Sequence, residues 1–178
     1  MSVETTSARI AQMWRNLSAD TSYSNIHIEK VFDSIPLVVL TAHLPAVIIF
    51  PGEATYDYEE FGEDMIAETR AYRSVLLLAS AVAANYEEVG QLQLAPYFAA
   101  AKAYFAARPG LEDDSQADTP GNRQDVVYEA HITGDRGYVP FQWANGSDPN
   151  GPGGGLGLFH AVEFTHTTTE IDSITYQD

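Results

Sequence analysis

The chain has 178 residues, enough for one domain with a sizeable core, and its 9 basic against 25 acidic side chains leave a formal charge of −16. That balance argues against nucleic-acid binding through a basic face, and the lack of any cysteine excludes disulfides, thiolate nucleophiles and cysteine zinc sites. The longest apolar run, Ile35 to Phe50, is broken by Pro36, His43 and Pro45, and the N-terminal stretch has no signal-peptide core, so no membrane span is expected and the chain reads as cytosolic when made.

In chain order, Ile10, Met13, Trp14 and Leu17 recur at spacings of three and four, which predicts a helix over 6–17 with one apolar stripe. From Ile26 to Val31 the pattern alternates and predicts a half-buried strand. Ser34 to His43 reads as a short strand or an ordered loop, because Pro36 and Pro45 confine its Leu37–Leu40 run. Ala46 to Phe50 is β-branched and apolar on both faces and predicts a central strand, with Ala71 to Ala79 pairing to it as a hairpin-like unit. Between them lies a polar arm, Glu53 to Glu68, expected to be extended and too charged for the core.

Helix formers dominate from Tyr86 to Arg108, where Tyr97/Tyr104 and Phe98/Phe105 recur seven residues apart. Pro96 starts this helix or kinks a longer one, and Pro109-Gly110 ends it. A polar loop is expected over 112–123. Strands are predicted over 125–133 and 138–143, joined by Gly134-Asp135-Arg136-Gly137 as a hairpin connection. A glycine-rich loop follows over 145–155, and then a last strand from Leu156 or Leu158 to about Ile171. The order helix, strands, helix, strands predicts one α+β domain over 1–178, with a mainly antiparallel sheet, two helices packed on one face, and loops at 53–68, 112–123 and 145–155.

The search for chemistry yields little. Gly151 to Gly157 lacks the Lys-Ser/Thr pair of a phosphate loop, and a calcium loop begun at Asp148 would put its bidentate acid at Phe159. His160 and His166 share a strand face but stand roughly 20 Å apart at strand rise, too far to chelate one ion; His131 meets His160 only if their strands are neighbours. No Gly-x-Ser-x-Gly elbow is present. No catalytic residue, metal ligand or cofactor is assigned. The feature beyond simple solubility is the interleaving of aromatics with acids in Tyr56-Asp57-Tyr58-Glu59-Glu60-Phe61, since tyrosine and phenylalanine are enriched at protein interfaces. The rings either cross to a neighbouring subunit or fold back on their own sheet.

Several stretches, taken in order, resemble the tail terminator (tail completion, or minor tail) proteins of long-tailed bacteriophages. They are Val31-Phe32-Asp33-Ser34-Ile35-Pro36, Leu44-Pro45-Ala46-Val47-Ile48-Ile49 with Gly52, Arg70-Ala71-Tyr72-Arg73-Ser74-Val75-Leu76-Leu77-Leu78, Ala107-Arg108-Pro109-Gly110-Leu111, and Gly157-Leu158-Phe159-His160-Ala161-Val162-Glu163-Phe164-Thr165, covering most of the chain from Val31 to Ile171. The resemblance is one of ordered pattern, and the 112–123 and 145–155 loops depart from it. It implies an α+β structural virion protein without enzymatic activity or cofactor. Its homo-hexameric ring would cap the head-proximal end of the tail tube, stop its polymerisation and dock a head-closure or neck protein, in the tail-neck region of a virion assembled in the host cytoplasm. DNA would pass through the channel without specific binding, kept off the wall by like charge. The arm residues Glu53, Tyr56, Asp57, Tyr58, Glu59, Glu60, Phe61, Glu63 and Asp64 are then the expected lumen lining or inter-subunit arm. Two alternatives stand: another neck or head-tail joining ring protein, and a small hydrolase using clustered carboxylates, which requires a monomer with an apolar cleft and a carboxylate of raised pKa.

Overall fold

The helical stripe finds its partner first. In the computed structural model, which describes residues 3–57, 65–80, 94–111, 127–144 and 156–173, helix α1 spans Val3–Ala19 and buries Ile10, Met13, Trp14 and Leu17 completely or nearly so. Helix α2 spans Leu94–Ala106, with Pro96 in its first turn, where the missing N–H costs nothing. It buries Tyr97, Ala100, Ala101, Tyr104 and Phe105, and its small alanines let it lie close to the sheet. The predicted helical stretch 86–93 lies outside the described residues.

Among the described residues five strands form one sheet: β1 (Lys30–Val31), β2 (Ala46–Asp57), β3 (Met65–Ser80), β4 (Val127–Ala144) and β5 (Leu156–Ser173). Their lateral order is β1-β2-β3-β5-β4, with only β1 and β2 parallel. Pairing register sorts side chains to two faces. Val47, Ile49, Tyr72, Leu76, Val162 and Phe164 join α1 and α2 in the main core, whereas Ile48, Val75, Leu77, Phe159 and Ala161 form a second cluster on the opposite face. Both helices therefore pack on one face of a mostly antiparallel sheet, the α+β arrangement expected from the sequence.

Four sequence expectations need correction. The stretch Ile26–Val31 is a strand only at Lys30–Val31; Ser18 Oγ accepts the Ile28 N–H at 2.9 Å and holds the preceding residues as ordered coil, with Ile26 and Ile28 still buried. The central strand is β3, flanked by β2 and β5, while β2 has β1 beside it only at Ala46 and Val47. The arm 53–68 is strand rather than loop over its described residues, 53–57 and 65–68. β2 runs on to Asp57 and β3 begins at Met65, paired from Ala54↔Arg70 to Asp57↔Ala67, because cross-strand bonding satisfies a backbone that solvent-facing acids do not hinder. Finally, Gly134-Asp135-Arg136-Gly137 makes no hairpin. β4 is one continuous strand along β5, and the glycines fall where register shifts mark bulges, between Ile132 and Gly134 and between Arg136 and Tyr138. Asp135 turns to α2, where Lys102 Nζ meets its Oδ2 at 2.5 Å. The predicted 112–123 and 145–155 loops lie outside the described residues.

The second face is covered at one end by residues 33–45, here called the strap. Val39 is fully buried over Ile48, Val75 and Leu77, with Phe32 and Leu44 beside it. Two hydrogen bonds tie the strap to the end of β4: Val39 N–H to Ala144 O at 2.8 Å and Trp143 Nε1–H to Pro36 O at 3.1 Å. Trp143 stacks on Phe141 with centroids 5.8 Å apart, and Phe50 packs against both. Beyond the strap this face becomes small and polar, with Thr69, Thr133, Thr167 and Thr169 linked through their hydroxyls.

Candidate functional site

The described parts of the predicted arm are antiparallel partners in β2 and β3, with a bulge between Pro51 and Ala54. Gly52 is required there, because a Cβ at this position would sit 2.7 Å from Ala71 O, a backbone atom that cannot yield. Arg70 braces the bulge. Its Nη1 donates to Gly52 O at 2.9 Å, while Nε and Nη2 grip Glu68 Oε1 at 2.7 and 2.5 Å. Burial works against the Arg70 charge, but the bonds and charge of Glu68 outweigh it and hold the pKa above the ordinary value.

Of the predicted arm residues, Glu53 and Asp57 are exposed on β2 and Tyr56 is 52% exposed. Tyr58, Glu59, Glu60, Phe61, Glu63 and Asp64 lie outside the described residues. Glu53 and Asp57 thus stand in solvent on paired strand, Glu68 is part-buried against Arg70, and the Tyr56 ring is not part of the main core.

A second polar constellation, which the sequence reading did not single out, lies beneath α1. Register places Glu68, Arg70 and Tyr72 of β3 directly opposite Glu170, Thr168 and His166 of β5, all on the helix-covered face. Thr6 of α1 donates from Oγ1 to Glu170 Oε1, and Trp14 donates from Nε1 to Ser74 Oγ at 3.1 Å. Tyr72 is buried near Thr6, yet its hydroxyl makes no hydrogen bond of good geometry with any described residue. Burial, with the charge of Glu170 added, pushes its pKa up to about 12. His166 is enclosed by Phe105 at 4.8 Å and Trp14 at 6.4 Å between ring centroids, and neither ring nitrogen has a partner among the described residues. Burial alone lowers its pKa to about 3, so it is neutral wherever the protein is folded near neutral pH. The spacing-of-two patterns 68/70/72 and 166/168/170 were visible in the sequence, but only strand register sets them side by side.

The other histidines do not assemble. His131 sits opposite Thr167 and His160 opposite Pro140, so although β4 and β5 are neighbours the two imidazoles lie about seven residues, roughly 23 Å, apart. His43 accepts the Leu40 N–H at 3.2 Å and packs on Phe32, as befits the predicted loop residue. Among the described residues no group of three or more His, Asp or Glu side chains has the geometry to hold a metal ion. A shallow groove of about 590 Å³ runs between α1 and residues 27–33, with Arg15 on its wall paired to Asp33.

No family model matches the chain, and no curated protein matches it at a significant level. Among the described residues no helix is long and apolar enough to cross a membrane.

Proposed function

We propose that this chain is a structural subunit of a tailed-phage virion, a tail terminator whose ring caps the head-proximal end of the tail tube, stops tube polymerisation and joins tail to head. The observation that carries the reading is the placement of the arm acids. Glu53 and Asp57 stand exposed on the β2 part of the sheet, rather than converging on an apolar cleft as a carboxylate hydrolase would need. Around a channel, such solvated carboxylates repel passing DNA, so an anionic wall serves a conduit by not binding its contents. A further feature supports it: the order of helices and strands is the α+β order that the resemblance implies. In this reading the arm lines the lumen or reaches the neighbouring subunit, and the flat ends of the ring meet tube and neck proteins.

The reading is tested in particles. Removing the protein from an assembling phage should give headless tails of uncontrolled length, and labelled antibody should mark the head-proximal tail end of complete particles. Tails of normal length that join heads without this protein would exclude the terminator role.

A further inference from the structure

Acidic side chains outnumber basic ones 25 to 9 in this chain, yet near the middle of the second face the balance is reversed. Glu163 of β5 is buried there, pairing with Val75 of the second cluster on one side and with Arg136 of β4 on the other. Arg73 of β3 also reaches it, with Nε 3.9 Å from Oε2, and holds its guanidinium 5.0 Å from the centre of the Phe50 ring. Two guanidinium groups thus flank one carboxylate, and one positive charge is left over. Both stay open to a partner: Arg136 is exposed and has no ion pair of its own among the described residues, and 46% of the Arg73 side chain meets solvent. Arg15, Arg70 and Lys102, by contrast, are each taken up by an acid of their own chain.

Towards the arm the same face turns small and uncharged. Ala71 and Thr167 form one cross-strand row of β3 and β5, and Thr69 and Thr169 the next, with Thr55 of β2 beside Thr69. Ala71 is exposed and the threonines are only partly buried, so the chain leaves this strip open. A strip of short uncharged side chains ending on two arginines suits an extended acidic segment, because a backbone can approach it closely and the guanidinium fork fits a carboxylate.

The arm of a second copy is such a segment. Glu53 and Asp57 are exposed on its β2 strand, which beyond Val47 has no strand on its outer side among the described residues. The chain's own Asp57 cannot serve, because it is fixed opposite Ala67, six residues or roughly 20 Å along β3 from Arg73. We infer that the arm of one copy lies on the second face of the next, its carboxylates on Arg73 and Arg136. The giving and receiving surfaces differ, so every copy gives one arm and receives one, the head-to-tail relation that closes a ring. Net charge opposes the association, but repulsion between bodies of charge −16 is screened beyond roughly 8 Å at physiological salt, whereas carboxylate and guanidinium meet at hydrogen-bonding distance. The inference rests on the self-assembly in the proposed function and decides between the two roles left open for the arm, contact and lumen lining. Its test needs only the purified chain, so a failure here leaves the tail-end location standing, and a failure there leaves this contact standing.

Sedimentation velocity of the full chain at physiological salt, from micromolar to several hundred micromolar, reads the contact. The wild type should self-associate as concentration rises. Arg136→Ala, on the receiving face, should weaken association about tenfold or more with unchanged circular dichroism, while Lys30→Ala, the same charge change at an exposed site on β1, should leave it intact. Glu53→Ala with Asp57→Ala should weaken it comparably, although that variant is less acidic and general repulsion alone would make it associate more strongly. The arm variant and the Arg136→Ala variant each keep the surface the other lacks, so a mixture of the two should form one-to-one pairs and nothing larger. A wild type that stays monomeric over the whole range would overturn the inference, as would an arm variant that associates more strongly or a mixture that assembles no further than its components.

Discussion

Tyr72 and His166 are register partners across β3 and β5, and both keep buried polar atoms without hydrogen-bond partners among the described residues. Two such groups side by side make this a costly part of the core, because a desolvated donor or acceptor without a good partner is unfavourable, and the His166 ring lies against Trp14 and Phe105.

The first prediction concerns acid. The folded pKa of His166, about 3, lies below the unfolded value of 6.5. The unfolded chain therefore binds the proton more readily below pH 6.5, and the stability contributed by neutral His166 is complete above that pH and lost as pH falls towards 3. The full loss is on the order of 5 kcal/mol. Glu68, Arg70, Tyr72 and Glu170 face the same layer, so the informative quantity is a difference between variants. His166→Phe should be as stable as wild type or about 1 kcal/mol more so at pH 7, and should lose distinctly less stability by pH 4.5. Urea midpoints at the two pH values measure it; parallel losses in both proteins would refute the assignment.

Gly52→Ala should destabilise the hairpin by about 1–3 kcal/mol, since the added Cβ meets Ala71 O at 2.7 Å. The damage should be local. Amide exchange should quicken at Ala54–Asp57 and Ala67–Arg70 more than at Val162 or Phe164, and uniform quickening would contradict the bulge as the rigid point of the arm.

Trp14 fills the space between Phe105, Phe164 and His166 and bonds Ser74. Trp14→Ala should cost about 3–5 kcal/mol, and Trp14→Phe less, with the lost Ser74 bond adding about 1 kcal/mol to the packing change. In the double variant Trp14→Phe with Ser74→Ala, that bond's share should be recovered in part, as equilibrium unfolding of all four proteins will show.

For the strap, Trp143→Phe removes the donor to Pro36 O while keeping an aromatic ring on Phe141 and Phe50. The global stability should fall by only about 1 kcal/mol. Limited proteolysis should nonetheless cut residues 33–40 appreciably faster than in the wild type. Unchanged cleavage there would mean that Val39 alone anchors the strap.

Local periodicity made much of this fold legible. The stripe Ile10, Met13, Trp14 and Leu17 foretold α1, the β-branched run at Ala46–Phe50 foretold β2, and their order gave the α+β class. These readings depend on the spacing of a few neighbours along the chain, which the sequence states directly. The exposed acids at Glu53 and Asp57 were equally legible, because charge density alone keeps such residues in water. What the sequence could not state is pairing. Gly134 and Gly137 look like turn residues until an 18-residue β5 lies alongside and turns them into bulges, and the arm looks like a loop until β3 supplies its hydrogen bonds. The same dependence on register hides the Tyr72 and His166 pair, because a shift of one residue would send every side chain of the strand to the other face. Tertiary structure alone decided which strands became neighbours, since that choice is made by the burial of two faces at once rather than by any segment's own preference.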